Sequence, residues 1–307
     1  MKAAGHHQGH GRNNGNSGNA STSLGIAIFV TLLIFIFQLV GAYLSNSLAL
    51  LGDSGHVFSD AISLGVSFLA CRLAMRPAEL RKTFGYHRAE VFAALANAIL
   101  LLIMAAAILY EALLRASSPP QINTPVMLAF AAIGLLGNAF VVIKLGGHKN
   151  LNVRSAMLHA LSDAVSSLGV IIAAVLIWLT GMAVFDSIIS AFIAGLMVIG
   201  SYRVGKGAMR ILFEFSPKGI GASDICKALY GVPEVKEVHD VHVWAVCSDL
   251  IYATAHIVVK DKKVSGCEKL ANKLESRLRK IGIAHATFQF ETENHGHGKE
   301  MVCETGH

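Results

Sequence analysis

GDSGHVFSD, residues 52–60, lies inside a long apolar run and holds three ionisable side chains, Asp53, His56 and Asp60. The run, residues 48–72, is long enough to cross a bilayer as a helix, which takes about 20 apolar residues. A charged side chain in a bilayer core costs at least about 2.5 kcal/mol, so ionisable groups there usually belong to a functional site. The stretch therefore predicts a membrane protein with a polar site within its membrane region.

A second stretch, MLHALSD at residues 157–163, repeats the spacing of a histidine followed four residues later by an aspartate. On a helix this spacing places both side chains on one face, about 6 Å apart along the axis. A single pair is explained equally well as a structural ion pair, but two copies on separate spans are not. Two opposed pairs suit tetrahedral zinc, with cobalt, cadmium and nickel as competitors. We predict a metal site formed by His56, Asp60, His159 and Asp163.

The rest of the chain agrees with a membrane domain that has polar flanks. Of 307 residues, 53% are hydrophobic and 15% are charged, whereas soluble domains carry about 25% charged residues. We predict a transmembrane domain over residues 24–212, a soluble domain over 213–292, and disordered histidine-containing tails at 1–23 and 293–307. The spans are expected at 24–44, 48–72, 89–114, 124–146, 155–179 and 185–212.

Basic residues cluster on one side of this predicted topology. The opposite side carries Arg115 alone, and positive residues are retained in the cytoplasm, so both termini are expected to be cytoplasmic. The net charge of +6 is thereby explained by topology, and nucleic acid is not an expected partner. The residues on the cytoplasmic side are Lys2, Arg12, Arg72, Arg76, Arg81, Lys82, Arg88, Lys144, Lys149, Arg154, Arg203, Lys206 and Arg210.

Other polar residues in the spans have simpler interpretations. Asp53 shares a helical face with His56 and is predicted to lie in the second shell of the metal site, to cap the helix start, or to help exchange protons and metal. Small polar side chains commonly hydrogen-bond between membrane helices, which is the interpretation preferred for Gln38, Asn97 and Asn138. Asp186 opens the last span and is predicted to cap it.

These motifs resemble the cation diffusion facilitator family, in particular its zinc-type branch. The resemblance runs over residues 24–292, and its paired HxxxD motifs are highly specific. It implies a homodimer, proton-coupled metal export, a cytoplasmic ferredoxin-like (metallochaperone-like) domain and the four transport ligands named above. Some relatives have a long histidine-rich loop between spans four and five, which is short here. The matching stretches are SLALLGDSGHVFSDAISL, TFGYHRAEVFAALANA, NLNVRSAMLHALSDAVSSLGV, FDSIISAFIAGLMVIGSY, VHDVHVWAV and HATFQFE.

The segment after the last span predicts the element order α-β-β-α-β. A short helix is expected near 223–230, strands at 238–246, 250–260 and 284–291, and a helix between the second and third strands. That helix should begin with a capping box at Ser265-x-x-Glu268. Its apolar positions recur at three- and four-residue steps and Gly282 should close it. They are Val264, Cys267, Leu270, Leu274, Leu278 and Ile281.

This domain carries candidate ligands for a regulatory metal, which the resemblance implies for some relatives. His285 and Glu291 lie six residues apart on one strand, about 20 Å if extended, so they cannot share an ion. We group His239 and His256 with Glu291, and expect His285 to face the membrane domain, with His87 as a possible partner. Ordinary surface histidines are an equally good interpretation of this set.

The predicted function is export of zinc, or of cobalt or cadmium, by a metal/proton antiporter that works by alternating access. Metal binding requires neutral imidazole, which competes with protons near pH 6.5, so protonation can expel the metal on the outer side. No resident cofactor and no enzymatic activity are expected, since there is neither a G-x-x-x-x-G-K loop nor an H-E-x-x-H motif. The alternatives are a membrane-bound metal sensor and an intramembrane metalloenzyme. The short loops favour a bacterial inner membrane.

Overall fold

The computed structural model describes residues 14–74, 82–146, 151–248 and 250–293. Within these ranges the side chains described are those from residue 25 onward, except at 60, 63–64, 66–74 and 151–156. The chain divides into two compact units. One comprises residues 1–64 and 100–201, and the other comprises residues 65–99 and 202–307.

Long helices occupy the apolar part of the chain. Their ends lie within a few residues of the predicted spans, except that the first helix begins at Asn14, inside the segment predicted to be a disordered tail. Once the apolar stretch has formed a helix, each further residue adds one backbone hydrogen bond, so the helix extends outward. The bounds are α1 (Asn14–Ser45), α2 (Leu48–Ala74), α3 (Ala89–Ser117), α4 (Thr124–Leu145), α5 (Leu151–Thr180) and α6 (Val184–Leu212).

Five helices among the described residues are long and apolar enough to cross a membrane. The chain is therefore an integral membrane protein. The helix α2, which carries His56, has 27 residues but is not among the five. The five segments are Gly25–Ser45, Ala89–Ser117, Thr124–Leu145, Met157–Thr180 and Val184–Leu212.

Glycines allow α1 and α4 to pack closely in the first unit. A Cβ atom on Gly137 would lie 2.6 Å from Cδ1 of Ile34, and a Cβ atom on Gly134 would collide with Nε2 of Gln38. Small residues of this kind let the backbones of membrane helices approach each other. The close packing brings the polar end of Gln38 into the interior of the unit, where it is fully buried.

The second unit contains the small α/β domain. Its element order is α7 (Ala222–Tyr230), β1 (Val235–Cys247), β2 (Leu250–Val259), α8 (Val264–Lys280) and β3 (His285–Glu291), as the sequence predicted. The sheet order is β1-β2-β3, with β1 and β2 antiparallel and β2 and β3 parallel. A parallel pair needs a crossover connection, which α8 provides.

The helix α8 differs from the prediction at its start. It begins at Val264 after Lys263, which makes no side-chain capping hydrogen bond, so Ser265 lies within the first turn and the predicted capping box is wrong. Val264 is 86% exposed and does not belong to the apolar face. The buried stripe is Leu270, Leu274 and Leu278. Gly282, with φ of +97°, follows the helix as predicted.

Candidate metal site

A histidine on α2 and an aspartate on α5 meet in the interior of the first unit. Nδ1 of His56 lies 3.5 Å from Oδ1 of Asp163. The side chain of Asp163 is 5% exposed and that of His56 is 20% exposed. Imidazole nitrogen and carboxylate oxygen at this separation are both ligands that zinc accepts. The structure thus brings together one predicted ligand from each of the two HxxxD motifs.

A hydrogen-bonded network lies one helical turn away from this pair. Oδ2 of Asp53 accepts hydrogen bonds from Nε2 of Gln38 at 2.6 Å and from Oγ of Ser167 at 2.8 Å. The amide of Gln38 also donates to Oγ of Ser167 at 3.2 Å. All three side chains are fully buried. The network joins α1, α2 and α5, which confirms the predicted interhelical role of Gln38.

The two contacts between α2 and α5 define their register. Asp53 contacts Ser167, and three residues further along α2, His56 contacts Asp163, which lies four residues back along α5. The helices are therefore antiparallel in this region, and each turn of α2 faces one turn of α5. This register fixes the relative positions of the two HxxxD motifs.

The other two predicted transport ligands are less fully determined. His159 is exposed, one turn before Asp163 on α5. The side chain of Asp60 lies outside the described residues, although its backbone is part of α2. The joint coordination of one ion by all four residues therefore stays a prediction.

The sequence predicts that Asp186 caps its own helix, α6. In the structure its carboxylate caps the start of α2 instead. Its carboxylate accepts hydrogen bonds from Oγ of Ser47 at 2.6 Å, from N of Leu48 at 2.7 Å and from N of Ala49 at 3.2 Å. Backbone N–H groups at a helix start lack intrahelical partners and favour an anion. A capping role for Asp53 is excluded by the same geometry, because α2 begins at Leu48 and its first amides bind Asp186.

A second group of ligand-type side chains lies on the carboxy-terminal sheet. One nitrogen or oxygen atom from each of His239, His256 and Glu291 lies within 4.8 Å of the others. Oε1 of Glu291 is 2.9 Å from Nδ1 of His256, and Oε2 is 3.3 Å from Nε2 of His239. We call these three residues the sheet cluster. It is the group that the sequence analysis selected.

Strand pairing explains how the sheet cluster forms. His239 on β1 is directly opposite His256 on β2, and their ring centroids are 5.3 Å apart. On β3, Gln289 is opposite His256, so Glu291 is one position along on the same face. The register of β1 shifts just after His239, where Asp240 has φ of +48°. Such a bulge re-aims side chains next to a site.

Several polar atoms in the sheet cluster make no hydrogen bond of good geometry among the described residues, although His256 and His239 lie 2.9 and 3.3 Å from the Glu291 carboxylate. They are both ring nitrogens of His239, Nδ1 of His256 and Oε2 of Glu291. His239 is 4% exposed and Glu291 is 5% exposed. Buried polar groups are usually satisfied, so this set of orphaned nitrogen and oxygen atoms fits a bound divalent cation. Nε2 of Gln289 donates a hydrogen bond to Oε1 of Glu291 at 2.9 Å.

Of the remaining two candidate ligands, His285 contacts an aromatic side chain of the second unit. The ring of Tyr252 contacts the ring of His285 at a centroid distance of 5.4 Å and that of Phe84 at 5.5 Å. Phe84 belongs to the turn that also carries His87. The turn and the start of β3 therefore share Tyr252 as a contact, whereas a metal held by His87 and His285 stays a prediction.

The fold and the two sites together define a class of protein. It is an integral membrane protein with a histidine–carboxylate site between its membrane helices and a histidine–carboxylate cluster on a small α/β domain. Residues 24–213 match the family model described as the cation efflux transmembrane domain. Residues 217–293 match the model of the cation efflux protein, cytoplasmic domain. The chain belongs to the cation efflux family, which confirms the resemblance based on its motifs.

Similar proteins match over nearly the whole chain. A Bacillus subtilis protein named cadmium, cobalt and zinc/H(+)-K(+) antiporter is 39% identical over 296 residues, 95% of both chains. The Cupriavidus metallidurans metal cation efflux system protein CzcD is 36% identical over 92% of this chain and 90% of its own. The Escherichia coli zinc transporter ZitB is 35% identical over 89% of this chain and 88% of its own.

Proposed function

We propose that the protein exports zinc, and also cobalt and cadmium, by exchanging the metal for protons. The observation that carries the proposal is the approach of His56 to Asp163 in the interior of the first unit. Ionisable groups are costly to bury in a membrane domain, so their presence there indicates a functional site. The names of the three relatives, which include antiporter, efflux system and zinc transporter, support the same activity.

The proposed transport site consists of His56, Asp60, His159 and Asp163. In the antiparallel register of α2 and α5, the turn of α2 after His56 faces the turn of α5 before Asp163. If that register continues, Asp60 would lie opposite His159, and the four residues would supply two nitrogen and two oxygen ligands. Asp53 acts from the second shell, since its hydrogen bonds to α1 and α5 hold the helices at the separation that the ligands need.

The exchange of metal for protons follows from ligand chemistry. Zinc binds deprotonated carboxylates and neutral imidazoles, so every proton that the site takes up weakens metal binding. Alternating access then gives antiport, because the site releases its protons when it faces the cytoplasm and takes them up when it faces outward. Exposure increases along α2 from Asp53, which is fully buried, to His56, which is partly exposed. This supports a path by which ions reach the site from the carboxy-terminal side of His56 on α2.

The proposed topology has six spans, namely the five segments given above and α2. Both termini lie in the cytoplasm. The basic residues on the predicted cytoplasmic side support this orientation. The name of the matched cytoplasmic domain model supports it as well. The membrane is a bacterial inner membrane and the protein is a homodimer, with a ferredoxin-like arrangement in its cytoplasmic domain. The three relatives are all bacterial.

The sheet cluster is proposed to hold a regulatory metal ion. His239, His256 and Glu291 would supply two nitrogen ligands and a carboxylate, and the orphaned atoms described above fit that use. A bound divalent cation would neutralise the buried carboxylate and tie β1, β2 and β3 together. His285 and His87 form a weaker proposal for a second such site.

Two other functions explain less of the molecule. A membrane-bound metal sensor accounts for the sheet cluster, but it gives no reason for ligands buried on two membrane helices. An intramembrane metalloenzyme needs an open coordination position and a general base. Peptidase activity of the purified protein would support the enzyme, and metal binding without flux would support the sensor.

Transport by the purified full-length protein in proteoliposomes tests the proposal. We expect an imposed pH gradient to drive zinc flux. We also expect an imposed zinc gradient to drive protons across the membrane in the direction opposite to zinc. His159→Ala should abolish both signals, whereas His10→Ala, in the tail, should leave them unchanged. Zinc flux in the His159→Ala protein equal to that of wild type, or flux that ignores the pH gradient, would refute the mechanism.

A further inference from the structure

The amide of Asn138 on α4 is buried and has no hydrogen-bonding partner among the described residues. Asn138 is 1% exposed, and neither Oδ1 nor Nδ2 makes a hydrogen bond within the described part of the chain. The sequence predicts an interhelical hydrogen bond here, and none is found where the chain is described. Burying an amide without hydrogen bonds is unfavourable, so a partner is expected in another state of the protein.

Two contacts between α4 and α5 fix the depth of this amide. A Cβ atom on Gly134 would lie 3.2 Å from Oγ of Ser167. One helical turn beyond Asn138, Val141 belongs to the same buried cluster as Ala160 on α5. Gly134, Asn138 and Val141 all lie on the buried stripe of α4, so Asn138 lies between the two contacts.

The residue of α5 at the same depth as Asn138 is Asp163. It lies between Ala160 and Ser167 in the sequence, and it is buried. Because α4 and α5 run antiparallel through the two contacts, Asn138 reaches the depth of Asp163. His56 approaches the same carboxylate from α2. Asn138 on α4 and His56 on α2 therefore both lie at the depth of Asp163.

We propose that Oδ1 of Asn138 is an additional oxygen ligand of the transported cation and determines which divalent ions are carried. The inference rests on the proposed function and adds a third helix to the site. An amide carries no charge and does not titrate, so it binds metal without competing for protons. With two imidazoles and two carboxylates already present, a fifth ligand favours ions that accept more than four ligands, here cobalt and cadmium, over tetrahedral zinc.

The test compares Asn138→Leu with wild type in proteoliposomes, using zinc, cobalt and cadmium separately. Leucine keeps the branched shape of asparagine and removes both polar atoms of the amide. We expect cobalt and cadmium transport to fall about ten- to a hundredfold relative to zinc transport. The visible absorption of bound cobalt should also become stronger, because four-coordinate cobalt absorbs more strongly than cobalt with more ligands.

Asn138→Asp keeps an oxygen at the same place and should retain the wild-type order of metals. Asn97→Leu, at another buried amide of a membrane helix, should leave that order unchanged. If Asn138→Leu is not recovered as folded protein, Asn138→Ala provides the same comparison.

Equal losses for the three metals, or an unchanged cobalt spectrum, would overturn the inference and leave Asn138 a packing residue. Unchanged transport of all three would overturn it too. The proposed function is tested separately by Asp163→Ala, since transport by that variant would refute the site itself whatever Asn138 does.

Discussion

The pair formed by His56 and Asp163, here called the membrane pair, uses the same chemistry as the sheet cluster on a different scaffold. His56 and Asp163 come from two helices that cross the interior of the first unit, with their atoms 3.5 Å apart. The sheet cluster comes from three hydrogen-bonded strands, with contacts of 2.9 and 3.3 Å. Both combine imidazole with carboxylate, so ligand type alone does not separate their roles.

The scaffold makes the difference. Ligands on neighbouring strands are held by the backbone ladder, so their separation cannot change unless the sheet breaks. Ligands on separate helices are held only by side-chain packing and a few polar contacts, and packed helices can slide or tilt. A site of the first kind suits stable binding, whereas a site of the second kind can bind on one side of a membrane and release on the other. The following predictions test this contrast.

The largest effect is expected from Asp163→Asn. It removes the negative charge beside His56 and replaces a carboxylate ligand by a neutral, weaker amide, so transport of zinc should fall at least about a hundredfold. Zinc flux in proteoliposomes measures this, with Asp261→Asn as a control at an exposed carboxylate of the second unit. Flux within twofold of wild type would show that the membrane pair is structural.

Loss of the Asp186 carboxylate should destabilise the protein without changing any ligand. Asp186→Ala leaves the hydroxyl of Ser47 and two backbone amides of α2 without an acceptor, at a cost of about 3 kcal/mol. Thermal unfolding in detergent should show a Tm several degrees lower.

The matched control is Glu111→Ala. Glu111 pairs with Arg115 one turn along α3 at 2.8 Å, and helix pairs at this spacing contribute about 0.3–0.5 kcal/mol. If Asp186→Ala lowers the Tm no more than Glu111→Ala does, the stability of α2 does not depend on the Asp186 cap.

The smallest effect on transport is expected from the sheet cluster. In an Asp163→Asn background, zinc should still raise the Tm, because a ligand at a hundred times its Kd stabilises a protein by about 2.7 kcal/mol. Adding His256→Ala should remove that increase, whereas adding the exposed His285→Ala should not. His256→Ala alone should retain most of the zinc flux. Abolished flux would mean that the sheet cluster is part of the transport route.

Helix positions and the pairing of motifs could be predicted because they depend on local patterns. Apolar length defines a span, and the spacing of four residues defines a helical face, so His56 and Asp163 were selected before any fold was known. The group of His239, His256 and Glu291 was selected differently, from the family resemblance and from the length of strand that separates His285 from Glu291. Short-range patterns failed at one helix end, because α8 begins at Val264 and the predicted capping box at Ser265 does not form.

Contacts between distant segments could not be predicted from spacing. Nothing in the sequence indicates that Asp186 binds the start of α2, or that Asp53 bonds to Gln38 and Ser167, because each contact joins residues on different helices. The same reason hid Asn138, which looks like any other polar residue in an apolar helix. Its depth beside Asp163 emerges only from the packing of α4 on α5.

By itself the sequence determined that this is a membrane protein with two HxxxD motifs and a small α/β domain, since apolar length, helical spacing and strand alternation are properties of contiguous residues. Only the tertiary structure decided which ligand faces which, which carboxylate caps which helix, and which buried amide was left without a partner. These facts depend on the register between helices, and register results from side-chain packing along whole interfaces rather than from any local run of residues.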